Sequence, residues 1–157
     1  MRAEKDIRAL IEGLNDNTID IIATDHAPHT EADKRCNFVD APFGISGFET
    51  ALGSLMGLVH GGQLTLNTLI SKLTSGPAGI IGERHGKLGT LATRAIADVT
   101  LFNPDKEWKV DTHDFVSKGR NTPLAGSMLK GKVMATISRG QIVYKDKSIK
   151  VKENKTV

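Results

Sequence analysis

Thr24-Asp25-His26-Ala27-Pro28-His29 gathers one carboxylate and two imidazoles into a single short stretch. A carboxylate can bind a hard or borderline metal ion and can also accept a proton. An imidazole four residues further on can ligate a metal or donate a hydrogen bond to an anion. Pro28 restricts the backbone between the two histidines. Each residue also has a plainer reading. Asp25 can cap a turn, His26 can be a satisfied buried histidine, and His29 can be an exposed loop residue. Residue types and spacing alone reach no further than a metal or anion site as one reading among these. Outside the cluster, Cys36 reads as an inert thiol. His60, His85 and His113 stand singly at apparent element ends, where a helix-dipole partner or a surface residue is the commoner explanation.

The flanking sequence says what must position the cluster. Ile7, Leu10, Ile11 and Leu14 form one apolar stripe at helical spacing, ended by Asn15-Asp16-Asn17. Ile19-Asp20-Ile21-Ile22-Ala23 is short, apolar and rich in β-branched residues. It predicts a strand buried on both faces, as in a parallel sheet. The cluster follows directly, and ligand sites of α/β folds lie at the carboxyl ends of such strands. Residues 30–47 predict a long loop, a kind that is often functional.

Further on, Ala51, Leu52, Leu55, Met56 and Val59 predict a second helix. Thr65 predicts an N-cap for a third, with Leu66, Leu69, Ile70 and Leu73 as its stripe. Gly76-Pro77 predicts a break, with Pro77 opening one more helical turn to Gly82. After that the period changes. Ala97–Phe102 predicts a strand turned by Asn103-Pro104-Asp105, and Trp108-Lys109-Val110 resumes it. Val133–Ser138 and Gln141–Tyr144 around Arg139-Gly140 predict a hairpin. Residues 150–157 predict a frayed polar end. A lone parallel strand cannot form a sheet. Residues 1–86 therefore predict one part of a larger α/β unit, and residues 87–157 a separate small β unit.

Composition narrows the function classes. With 39% hydrophobic and 25% charged residues, the 157-residue chain reads as soluble and globular. Aromatic residues are only 4%, which argues against a stacking surface for single-stranded nucleic acid. No apolar run approaches the ~20 residues that span a bilayer. One cysteine excludes an internal disulfide, leaving a reduced, cytoplasmic protein as the default. The net charge of +3 hides a gradient, from −5 over residues 1–50 to +8 over residues 118–157. The basic end could mark a nucleic-acid patch, but its lysines stand singly among apolar residues, which fits solvated strand faces better.

Ile21–His29, followed by Pro42-Phe43-Gly44-Ile45-Ser46-Gly47-Phe48-Glu49-Thr50-Ala51-Leu52, resembles the last barrel strand and following loop of class I dihydroorotases, which are cyclic amidohydrolases. Asp98–Leu101, Asn121-Thr122-Pro123 and Gly131-Lys132-Val133 resemble the small β domain that accompanies such barrels. The Asp-His-Ala-Pro-His string is specific: hydantoinases and allantoinases share its Asp-His start but usually lack a histidine where His29 stands.

The resemblance implies an α/β fold, namely the C-terminal fragment of a TIM-like metallo-dependent hydrolase barrel with a small β-sandwich-type domain. It implies that Asp25 ligates zinc and acts as general base and acid, that His29 binds the substrate carboxylate, and that Phe43 and Gly44 offer backbone groups to the substrate. The reaction would interconvert dihydroorotate and N-carbamoyl-L-aspartate in pyrimidine biosynthesis. Two alternatives are another cyclic amidohydrolase and a non-catalytic structural partner of aspartate transcarbamoylase. A homo-oligomer is expected. The family's His-x-His pair, bridging lysine and later histidine ligands are not found in this sequence, so Asp25 would be one ligand of a set of one or two zinc ions. The chain alone is expected to be inactive and to associate.

Overall fold

A computed structural model describes residues 3–149; the expected frayed end at 150–157 lies outside the described residues. Among the described residues, five α-helices precede a three-stranded antiparallel sheet. Helix α1 (Glu4–Asn15) turns Ile11 and Leu14 into a cluster with Leu64, flanked by Ile19, Ile22, Leu58 and Val59. The outer half of its stripe stays open, with Ile7 47% and Leu10 52% exposed.

Residues 19–23 differ from the expected buried strand. Among the described residues no strand pairs with them; Ile21 and Ile22 are half-buried and Ala23 is exposed. The backbone is held by helices instead, Ile19 N–H donating to Gly13 O at 2.8 Å and Ile22 N–H to Lys72 O at 3.0 Å. A β-strand is completed by its neighbour's hydrogen bonds, and here the neighbouring groups are helix carbonyls. A parallel bridge comes three residues later, between His26 and Ile45.

The 30–47 loop contains a short helix, α2 (Glu31–Lys34). The Thr30 hydroxyl accepts from Asp33 N–H, and the Asp33 carboxylate accepts from Thr30 N–H. Helices α3 (Ala51–His60) and α4 (Leu66–Leu73) follow their predicted stripes, and Thr65 caps α4 through Thr68 N–H at 3.0 Å. Lys72 of α4 is buried, its ammonium donating to Asn17 Oδ1 and Ile19 O. Helix α5 (Ser75–Ile81) begins two residues before Pro77, which sits in its first turn, where no intrahelical N–H is required.

The sheet runs in the order β1 (Val99–Lys109), β2 (Met128–Ser138), β3 (Gln141–Lys145). Asn103-Pro104-Asp105 does not end the first strand, as the sequence suggests, but bulges it. Register passes from Asn103↔Lys132 to Glu107↔Lys130, and Asn103 Oδ1 accepts from Asp105 N–H and Lys106 N–H. A bulge is where a strand tolerates proline. The hairpin forms as predicted, with Arg139 at φ 49° and Gly140 at φ 80°, the positive φ pair that a tight two-residue turn requires.

Among the described residues there is one sheet, not a sandwich, and α3 covers it. Met56 is 1% exposed against Gly131, Gly53 meets Leu129, and His60 Nε2–H donates to Pro104 O at 3.0 Å. Asp146 fastens the far end. It is buried and receives Lys132 Nζ at 2.7 Å, Lys106 Nζ at 3.3 Å and Ser148 N–H at 2.9 Å. Burial pushes its carboxyl up, but Lys132, Ser148 and Lys106 overcome that and hold it far below the usual carboxylate range. No helix among the described residues is long and apolar enough to cross a membrane.

Candidate active site

The extended segment delivers Asp25 to the surface in the left-handed region, at φ 46°. Aspartate tolerates this conformation better than most residues, at some cost in energy. Its carboxylate is exposed and makes no hydrogen bond to a described residue, so the turn-capping alternative is not what the structure shows.

His26 is a satisfied histidine. Its Nδ1 accepts from Gly47 N–H at 3.0 Å and Phe48 N–H at 3.2 Å, which leaves any ring proton on Nε2. The ring stacks on Phe48 with centroids 3.9 Å apart. Ala27 N–H donates to Ile45 O at 2.9 Å. The Asp25–His29 arm thus lies beside a second arm, residues 42–48.

His29 closes the other end of this pairing. Its Nε2 stands 2.7 Å from Phe43 O and must donate, because a carbonyl only accepts. Nδ1 has no partner among the described residues. Gly44, at φ 121°, sits where a Cβ would lie 2.6 Å from Ala27 O, so only glycine allows this approach. Its carbonyl is engaged by Lys34 Nζ at 2.9 Å and Asn121 Nδ2 at 3.1 Å. The carbonyls of Phe43 and Gly44 are therefore both committed, whereas their N–H groups meet no acceptor among the described residues. What remains open is a pair of donors, suited to an anion. The Phe43 side chain is 98% exposed.

Residues singled out by the sequence, Asp25, His29, Phe43 and Gly44, thus fall in one neighbourhood. Asn121, Ser46, Lys34 and Glu49 also belong to it and were not legible as such. Ser46 N–H and Oγ–H donate to Asn121 O and Oδ1, and His29 N–H donates to the same Oδ1 at 2.9 Å. Ser117 N–H donates to Glu49 Oε1 at 2.8 Å, while Glu49 Oε2 is enclosed without a partner among the described residues. Burial pushes the Glu49 carboxyl up, but the Ser117 hydrogen bonds and the nearby His26 draw it below its ordinary value. Asn121 lies 92 residues from His29, a distance across which no local spacing rule operates.

Residues 1–143 match the sequence model of the Amidohydrolase family. The chain belongs to this amidohydrolase family. Among curated amidohydrolase relatives it is 47% identical over 146 residues to the dihydroorotase of Syntrophus aciditrophicus (strain SB), covering 93% of this chain and 34% of the relative. It is 48% identical over 147 residues to the dihydroorotase of Thermoanaerobacter sp. (strain X514), covering 92% and 33%. The chain thus spans about a third of the length of the curated relatives it matches. Among solved structures it is similar to the L-hydantoinase (dihydropyrimidinase) of Arthrobacter aurescens, with TM-score 0.84 and 28% identity over 96% of this chain and 34% of that one. It also shares the fold of the dihydropyrimidinase of Brevibacillus agri NCHU1002, with TM-score 0.81 and 23% identity over 92% and 32%.

Amidohydrolases as a family generally use a metal. Among the described residues no group of three or more His, Cys, Asp or Glu is placed to hold one. Among the described residues the Asp25 carboxylate has no hydrogen-bond partner, and each histidine keeps one ring nitrogen without a partner, His26 Nε2 and His29 Nδ1, so Asp25 is one ligand candidate of this cluster beside those two nitrogens. These residues alone do not make a metal site.

Proposed function

We propose that this chain forms the C-terminal portion of a dihydroorotase, which opens and closes the ring joining dihydroorotate and N-carbamoyl-L-aspartate. The observation that carries the reading is the carboxylate of Asp25, held at φ 46° without a hydrogen-bond partner among the described residues, while each neighbouring histidine is engaged through one ring nitrogen only. Identity of 47% to a dihydroorotase, against 28% to a hydantoinase, favours this ring over the hydantoin ring.

In this reading Asp25 takes a proton from the water that attacks the ring carbonyl and returns it to the departing ring nitrogen, so one of the water's hydrogens ends on the new carboxylic acid and the other on the NH2 of the new carbamoyl group. The ring closes by the reverse path. The substrate carboxylate lies against His29 and the open Phe43 and Gly44 amides. With Nε2–H donating to Phe43 O, His29 reaches the anion through Nδ1, and it does so as a donor only when that nitrogen also carries a proton.

The rest of the barrel, including the other ligands of one or two zinc ions, would come from the remaining two thirds of a full-length enzyme. Residues 1–86 then belong to the barrel and residues 87–157 to the small β unit. De novo pyrimidine synthesis in the cytoplasm is the setting, with further copies or aspartate transcarbamoylase as assembly partners. The test is dihydroorotate ring opening by the full-length protein, beside a hydantoin and beside the Asp25→Asn variant. Turnover of dihydroorotate that vanishes in the variant supports the reading. Turnover of the hydantoin alone, or none at all, overturns it.

A further inference from the structure

The stretch 117–121 belongs in sequence to the β region, yet it runs across both arms of the candidate site. Ser117 N–H is bound to Glu49, just beyond the second arm. Gly119 passes so close that a Cβ there would lie 2.2 Å from Pro28 Cβ and 2.8 Å from Ser46 Oγ. Asn121, half-buried, then binds three groups through one amide. Its Oδ1 accepts from His29 N–H at 2.9 Å and from Ser46 Oγ–H at 3.0 Å, and its Nδ2 donates to Gly44 O at 3.1 Å. Its own carbonyl accepts Ser46 N–H at 2.9 Å. His29 belongs to the first arm; Gly44 and Ser46 belong to the second. Lys34, the other side chain on Gly44 O, also binds Pro42 O and so ties the second arm to itself.

We propose that Asn121 is a positioning residue of the active site: its amide straps the 42–48 arm to the Asp25–His29 arm and sets where the His29 ring and the open Phe43 and Gly44 amides stand relative to Asp25. Only a side chain carrying an acceptor and a donor in one plane makes all three bonds. Aspartate keeps both acceptor bonds but turns an oxygen toward Gly44 O. Alanine loses all three. The inference rests on the dihydroorotase reading for its kinetic consequence and on geometry alone for its structural one.

The test uses the full-length protein, with Asn121→Asp and Asn121→Ala compared with the parent. Backbone hydrogen exchange is followed at the hydrogen-bonded amides of Ala27 and His29 in the first arm and of Ser46, Gly47 and Phe48 in the second, and kcat and KM are measured for dihydroorotate. The expected result is exchange faster by about tenfold in both arms together, which corresponds to losing about one hydrogen bond's free energy, with the hairpin at 138–141 unchanged. In parallel kcat falls and KM rises, each by about fivefold or more, with Asn121→Asp milder than Asn121→Ala. Faster exchange with kcat and KM within twofold of the parent overturns the positioning role and leaves Asn121 a packing residue. If Asn121→Ala does not fold, Asn121→Asp decides by the same readouts. If the parent does not turn over dihydroorotate, the functional reading fails by itself. The exchange arm then decides the strap: loosening confined to the His29 amide overturns it, and loosening of both arms upholds it.

Discussion

Ser46 and Asn121, 75 residues apart in sequence, exchange two hydrogen bonds, one from the Ser46 amide to the Asn121 carbonyl and one from the Ser46 hydroxyl to Asn121 Oδ1 at 3.0 Å. Ser46 is fully buried at this junction. The pair joins the candidate active-site loop to the β region, so the geometry around Asp25 depends on residues from both ends of the chain.

Asp25 is expected to show function and stability pulling apart. Asp25→Asn should lower dihydroorotate turnover in the full-length protein by about 10²–10⁴-fold, the usual worth of a general acid–base group. Asp25→Gly should abolish turnover as well, yet unfold within about 1 kcal/mol of the parent, because glycine relieves the positive φ while loosening the unfolded chain. Steady-state kinetics and urea unfolding check the two halves.

Gly44→Ala combines a disfavoured φ with a Cβ 2.6 Å from Ala27 O. A destabilisation of about 1–3 kcal/mol or more is expected, with turnover reduced because the open amides move. A melting temperature equal to the parent's would contradict the close approach described here.

His29→Ala should raise KM for dihydroorotate by about tenfold or more, the cost of one charge-assisted hydrogen bond, and should change hydantoin kinetics far less. Equal effects on the two substrates would remove His29 from carboxylate recognition. Nitrogen-15 NMR of the His29 ring supplies an independent check: Nε2 should carry a proton across the folded pH range, since Phe43 O can only accept.

The Asp146 carboxyl is held below its unfolded value, so its contribution to stability is fully present above about pH 4 and is lost as pH falls toward its folded value. Asp146→Asn should cost about 1.5–3 kcal/mol at pH 7. The gap between parent and variant should narrow steadily below pH 4. Urea titrations at pH 7, 5, 4 and 3 would reveal it, and a gap independent of pH would refute the assignment.

Apolar side chains around the site arms stand in the open, with Phe38 96% and Val39 91% exposed alongside Phe43. Ile7 and Leu10 on α1 are also exposed, and apolar surface left open in this way favours association. The 157-residue chain by itself should therefore associate. Light scattering after size exclusion should show mass rising with concentration, and a monomer at all concentrations would argue against the barrel reading.

The parts of this fold that follow from local chemistry were legible in the sequence. Thr65 with the Leu66–Leu73 stripe announces a capped helix, and Arg139-Gly140 between two apolar runs announces a hairpin. Residues 19–23 carry a strand's composition, but a strand is fulfilled by neighbours, and here helix carbonyls answer Ile19 and Ile22 instead. Asn103-Pro104-Asp105 has turn chemistry, yet pairing at Asn103 and at Glu107 absorbs Pro104, Asp105 and Lys106 as a bulge. Asp25, His29, Phe43 and Gly44 are candidates that the motif resemblance names and residue spacing alone does not single out. Asn121 stands in the Asn121-Thr122-Pro123 stretch, but its contacts with His29, Gly44 and Ser46 form only once distant segments meet.

Lys72 offers a built-in reporter on the approach to Asp25. Its ammonium is sealed beneath α4 by Asn17 and Ile19. An amine-labelling reagent can reach it only when the 17–22 stretch peels away from that helix. The speed at which Lys72 is tagged, set against the exposed lysines, would therefore time how often the strip of backbone carrying the carboxylate lets go.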